Sequence, residues 1–114
     1  MKANINSSIL SLLGLACRAG KISRQEGSNL AAIRSGKSML LFLASDAGKT
    51  TGKRYRDKCF FYKVPLVSFC TRAELGQALG ISACTAVSIN DDRFALRMKE
   101  LLEQQAGDKP LSDV

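Results

Sequence analysis

At the start of the chain Ile5, Ile9, Leu12, Leu13 and Ala16 recur at helical spacing, while Asn6, Ser7, Ser11 and Gly14 fall on other faces. The spacing predicts an amphipathic helix. Lys2 followed by the apolar stretch Ile9 to Cys17 has the outline of a secretion leader, and Leu15-Ala16-Cys17 that of a lipoprotein cleavage site. The periodicity makes the stretch a helix of the folded domain instead. Ala19-Gly20 is expected to close it through a left-handed glycine, with Lys21-Ile22-Ser23 as a short extended link. Ser23-Arg24-Gln25-Glu26 fits a capping box, so a second helix is predicted from there to Gly36 with Leu30 and Ile33 inward. Met39 to Ala44 is short and continuously apolar, the pattern of a strand buried on both faces.

Tyr55, Cys59 and Tyr62 share one face of a predicted third helix whose other faces carry Lys53, Arg54, Arg56 and Lys58, and Pro65 stops it. Leu66 to Phe69 is the next strand. Thr71-Arg72-Ala73-Glu74 forms another capping box, ahead of inward Leu75, Ala78 and Leu79, and Gly80 ends that helix. Thr85 to Ile89 reads as a last strand, and Asn90 or Asp91 caps a final helix with Phe94, Met98, Leu101 and Leu102 on one stripe. From Gln104 to Val114 the periodicity is lost, so the expected organisation is a single domain over residues 1–103 and a frayed tail over 104–114. Alternating helices and strands imply a three-layer α/β/α sandwich around a small, partly parallel sheet.

The 114 residues suit one domain, and 46% hydrophobic with 24% charged residues is a globular balance. The longest apolar run, Met39 to Ala44, is far too short to cross a membrane. Charge changes the picture more. Between Arg18 and Arg72, twelve Lys and Arg oppose only Glu26, Asp46 and Asp57, a net of +9 in a chain whose total is +7. Such a concentration suits a phosphate-rich polymer or an anionic surface. The four cysteines, at 17, 59, 70 and 84, offer no metal-ligand spacing in a chain without histidine, and each neighbours apolar residues within a predicted element. Reduced, buried thiols and a cytoplasmic location are the expectation, with no metal and no cofactor.

Gly48-Lys49-Thr50, between a buried strand and a helix, has the setting of a phosphate-binding loop. That loop also needs a glycine five positions earlier, where Leu43 stands. Nucleotide hydrolysis is therefore not expected. Without histidine, no nucleophile and base are paired by spacing, and Asp91-Asp92 is explained by the dipole of the helix it opens. Catalysis is not expected either. The basic residues could instead converge: Lys21 and Arg24 precede the second helix, Lys37 follows it, and Lys49, Lys53, Arg54 and Arg56 open the third, where free N–H groups add to the positive potential. Tyr55, Phe60, Phe61 and Tyr62 could stack on bases, but their helical spacing favours core packing.

Leu13-Gly14-Leu15-Ala16, Arg18-Ala19-Gly20-Lys21, Ala32-Ile33-Arg34-Ser35-Gly36-Lys37, Leu43-Ala44-Ser45-Asp46-Ala47 and Thr71 to Ile81, in that order and spacing, resemble the kink-turn-binding ribosomal protein superfamily of L-seven-Ae and L-thirty-e type. Within it they look most like the small bacterial YlxQ-like branch, from about Ser8 to Ala95. The resemblance implies a four-stranded mixed sheet and an RNA-binding end formed by three loops. These are Gln25-Glu26-Gly27-Ser28, Asp46-Ala47-Gly48-Lys49, and Gly80-Ile81-Ser82-Ala83-Cys84. It implies that apolar residues of the third loop pack on unstacked nucleotides while polar groups at the helix start read guanine edges. Family members that bind kink-turns usually carry Gly-x-Asn-Glu there with Lys three positions later; this chain has Gly27, Ser28 and Ala31 at the reading positions. The expected protein is a cytoplasmic, non-enzymatic RNA-binding monomer associated with ribosomal or other structured RNA, with Lys21, Arg24, Lys37 and Lys49 on phosphates. The alternative is a protein-interaction module that kept the fold without specific RNA recognition.

Overall fold

The computed structural model describes residues 5–107. Its elements are α1 (Ile5–Arg18), β1 (Ile22–Ser23), α2 (Glu26–Ser35), β2 (Leu40–Leu43), α3 (Lys49–Tyr62), β3 (Leu66–Ser68), α4 (Arg72–Leu79), β4 (Ala86–Ile89) and α5 (Asp92–Gly107). The strands form one mixed sheet in the order β1-β4-β2-β3, with β2 parallel to β3 and antiparallel to β4. Helices cover both faces, as the alternation of elements predicts.

The sheet is central because β2 and β4 are buried at every position and all of their residues but Ser88 are apolar. Leu40, Phe42, Val87 and Ile89 turn toward α1, α4 and α5, where Ile9, Leu13, Leu75 and Met98 meet them. Phe42 and Phe69 pack with ring centroids 5.1 Å apart on that side. Leu41, Leu43 and Ala86 turn toward α2 and α3, meeting Ile33, Tyr55 and Cys59. Thr71 closes α4 with the predicted capping box, its hydroxyl accepting from the Glu74 N–H while the Glu74 carboxylate accepts from the Thr71 N–H.

Several local expectations need correction. Ser23 does not cap α2: the N-cap is Gln25, without a side-chain bond, because Ser23 pairs with Ser88 in β1 and turns its hydroxyl to Asn29. Of the two caps expected for α5, Asp91 serves, accepting from the Phe94 N–H, while Asn90 bonds to Ser23 and Ser88. Of the side chains read as an aromatic core face, only Tyr55 and Cys59 are buried; Phe60 and Phe61 are 87% and 74% exposed, and Tyr62 37%. Phe60 and Phe61 lie about 140° and 240° around α3 from Tyr55, on faces turned away from the buried one. α5 continues through Gln104 to Gly107, with Gln105 donating to Asn6, so the helix passes the expected start of the tail. The rest of that tail, 108–114, lies outside the described residues. Cys59 and Cys84 are buried free thiols, but Cys17 and Cys70 are half-buried, and Cys70, with φ of 56°, and Cys84 both lie outside any element.

Candidate functional site

Strand direction decides what gathers at each end of the sheet. β2 leads toward one end and β4 starts from it, so the starts of α2 and α3 and the loop after α4 meet there. Arg24, Glu26, Thr51, Tyr55, Ile81 and Ala83 line a cleft of about 290 Å³ between them, floored by Cys84, Thr85 and Ala86. Of the sequence-derived residues, Arg24, Glu26, Ile81 and Ala83 line this cleft together, while Gln25, Gly27, Ser28, Gly48, Lys49, Gly80 and Ser82 belong to the same end of the sheet but not to the lining.

Lys21 and Lys37 do not join them. Lys37 follows the far end of α2, about 15 Å along a ten-residue helix from Glu26. Lys21 accepts through its backbone carbonyl from the Asn90 N–H and stands 4.0 Å from Asp91, beyond the end of β4. Asp46 is at the correct end but engaged. Its carboxylate accepts from the Arg72 N–H at 2.8 Å and pairs with the Arg72 guanidinium at 3.6 Å. Those contacts, the backbone bond foremost, hold its pKa below the ordinary carboxylate range.

Two helix starts are left open at the cleft. Neither Gln25 at α2 nor Gly48 at α3 makes a side-chain cap bond, so first-turn N–H groups face outward. α4, starting nearby, is closed by Thr71, Glu74 and Asp46. Arg24 and Lys49 sit at the open starts, where a cation opposes the helix dipole, and among the described residues neither forms an ion pair. Lys53 pairs with Asp57 at 2.8 Å, and Arg54 with Glu26 across the two helices.

Beneath the cleft lies a residue that periodicity missed. Asn29 is fully buried; its amide donates to the Tyr55 hydroxyl at 3.1 Å and the Ala86 carbonyl at 3.2 Å. Burial pushes the Tyr55 phenol up, only partly offset by the Asn29 bond. The available signal was an asparagine on the same helical stripe as Ala32 and Ile33. Thr51, Arg54 and Thr85 were also outside the sequence-derived site. The third loop is held close to α4 by Gly76, where a Cβ would stand 2.6 Å from the Ala83 Cα and N. Ile81 N–H donates to the Gly76 carbonyl at 2.8 Å, presenting Ile81 and Ala83 to the cleft.

Among the described residues no His, Cys, Asp and Glu group converges as a metal site, and no helix is long and apolar enough to cross a membrane. The chain is an α/β/α sandwich around a four-stranded mixed sheet, with a small cleft at one end lined by Arg24, Glu26, Thr51, Tyr55, Ile81 and Ala83. The chain belongs to the ribosomal protein L7Ae/L30e/S12e/Gadd45 family, whose profile matches residues 7–97. It is similar to the RNA-binding protein YlxQ of Bacillus subtilis, 39% identical over 81% of this chain and 92% of the relative. It is also 38% identical to the YlxQ protein of Enterococcus faecium, over 82% and 90% of the two chains. The large ribosomal subunit protein eL8 of Thermoplasma volcanium is 32% identical over 77% and 74%. A solved structure of a protein with unknown function from Bacillus halodurans superposes with TM-score 0.79 at 35% identity, covering 83% of this chain and 96% of that one. The Giardia lamblia 15.5kD RNA binding protein shares the fold, with TM-score 0.76 at 21% identity over 91% and 89%.

Proposed function

We infer that this protein binds structured RNA, ribosomal RNA foremost, as a monomer and without a chemical step, at the end of the sheet where α2, α3 and the loop after α4 meet. The observation that carries it is the pair of open helix starts, each with a cation that forms no ion pair among the described residues. Phosphates would accept from those N–H groups and meet Arg24 and Lys49. An unstacked base would enter the cleft against Ile81 and Ala83, with Tyr55 at its base. The names of the YlxQ relatives support the RNA part.

Gly27, Ser28 and Ala31 are exposed and replace the residues that read guanines in kink-turn binders, so selectivity between folded RNAs is expected to be low. Each bidentate base contact is worth about 1–3 kcal/mol in the analogous DNA case. The test is binding of a ribosomal RNA fragment, a standard kink-turn and a plain duplex at one salt concentration. The fragment should bind, and the kink-turn should exceed the duplex by well under about a hundredfold. Gly27→Asn, Ser28→Glu and Ala31→Lys together should raise that ratio; a Cβ at 27 meets open space. Failure of every RNA to bind at moderate salt would return the protein to the class of interaction modules.

A further inference from the structure

The end of α3 away from the cleft carries a second exposed surface. Phe60 and Phe61 are 87% and 74% exposed, and Tyr62 packs edge-on to Phe61 with centroids 4.9 Å apart. Cys59, Phe60, Phe61, Lys63, Val64 and Pro65 line a shallow, mainly apolar depression there. Contiguous apolar surface of this kind marks an interaction site more often than an accident of packing.

It adjoins a free strand. β3 is at the edge of the sheet, with Pro65 and Ser68 exposed. The Pro65 carbonyl accepts from the Leu41 N–H, and the Phe69 N–H donates to the Leu43 carbonyl, each at 2.9 Å. With Leu41 opposite Leu66 and Leu43 opposite Ser68, the odd-numbered residues bond to β2. Leu66 and Ser68 therefore turn their N–H and C=O outward, an unpaired strand edge.

We propose that an extended protein segment of alternating apolar and acidic side chains adds to β3 as a fifth strand, with an apolar side chain seated against Phe60 and Phe61. Strand addition takes affinity from main-chain bonds and specificity from pockets for alternate side chains, and both are present side by side here. Charge selects the acidic character. Lys63 lines the depression and Lys58 lies one turn before Phe61 and Tyr62, while the nearby Asp57 is already bonded to Lys53. A second copy across a two-fold axis would bring the lysines of one protomer's edge toward those of the other. A nucleic acid offers bases for the rings but no groups in register with the outward N–H and C=O pairs of Leu66 and Ser68. Because α3 is about 21 Å long, RNA at its start and a peptide at its end do not compete for space.

The test is an amide-resolved NMR titration of the full chain with a synthetic peptide of alternating valine and glutamate, and with its valine–lysine counterpart. The glutamate peptide should shift the amides of Leu66 and Ser68 together with Phe60 to Val64. Phe60→Ala with Phe61→Ala, both at exposed sites, should weaken binding about tenfold or more while RNA affinity is retained. The lysine peptide should bind at least several-fold more weakly. No shift between residues 60 and 68 at millimolar peptide would overturn the proposal, as would shifts at Phe60 and Phe61 that leave Leu66 and Ser68 unmoved. Displacement of the same shifts by oligouridine would make the occupant a nucleic acid. Concentration-dependent shifts of these amides without peptide would make it a second copy.

Discussion

Asn29 and Tyr55, from α2 and α3, are joined by a 3.1 Å hydrogen bond with both side chains excluded from water, and Tyr55 is also a wall of the cleft. The bond belongs to a longer chain. Asn29 Oδ1 accepts from the Ser23 hydroxyl, which accepts from Asn90 Nδ2. Asn90 Oδ1 can only accept, so Ser88 donates to it and Ser38 donates to Ser88. A polar seam thus runs under α2 where an apolar layer would be expected, and each buried group in it has a partner.

Asn29→Ala should lower stability by about 1–3 kcal/mol, because the Ala86 carbonyl and Tyr55 hydroxyl lose their donor in a dry site. Tyr55→Phe should cost less, since it removes the phenol oxygen that needed a partner. Urea unfolding of both single variants and the double variant measures the coupling. Strict additivity would show that the bond does not join the helices energetically.

Lys49 should act on stability and binding in opposite directions. A carboxylate at the first position of α3 favours the helix dipole, so Lys49→Glu should stabilise the free protein by about 0.3–1 kcal/mol while weakening RNA binding. Arg24→Ala and Lys49→Ala should each flatten the dependence of log K on log salt by somewhat under about one unit. Lys21→Ala and Lys37→Ala, at the far end, should leave the slope nearly unchanged. Equal effects at all four positions would mean that the positive charge acts diffusely.

Gly76→Ala forces a Cβ into the backbone of Ala83, which has no flexible end to give way. The expected cost is about 1–3 kcal/mol, as for other overpacked sites. Amide shifts should concentrate at Ile81 to Thr85, and RNA affinity should fall with Arg24 and Lys49 intact. Retained affinity would remove the third loop from the site.

Stability should fall at both ends of the pH range. The folded pKa of Asp46 is depressed, so its contribution is present above the unfolded value near 4 and is lost as pH falls through the folded value. Asp46→Asn should flatten that acid limb. Burial raises the Cys59 thiol from 9.0 to about 11, so the fold is fully favoured below the unfolded value and loses that contribution as pH rises through this window. Chemical denaturation of Cys59→Val should show a shallower alkaline decline than wild type.

Sequence determined the elements themselves, most of their limits, the two buried central strands and the Thr71 capping box, and it named Arg24, Glu26, Ile81 and Ala83, which line one cleft. These rest on periodicity and on bonds between residues a few positions apart, which a chain carries locally. Tertiary structure decided the rest. Ser23 has the local form of a cap but is recruited into β1, because its backbone finds Ser88 and its hydroxyl finds Asn29. Helical spacing places Tyr62 on the Tyr55 face and turns Phe60 and Phe61 away from it, but it cannot tell how completely the neighbouring layers cover that face, and Tyr62 is 37% exposed. Lys37 is carried to the other end of the sheet because α2 holds its two ends apart by its own length, and Lys21 lies there because it precedes β1, beside Asn90 and Asp91. Burial and convergence depend on where the opposing layer stops, and that boundary is set by strand order and direction rather than by any local stretch of residues.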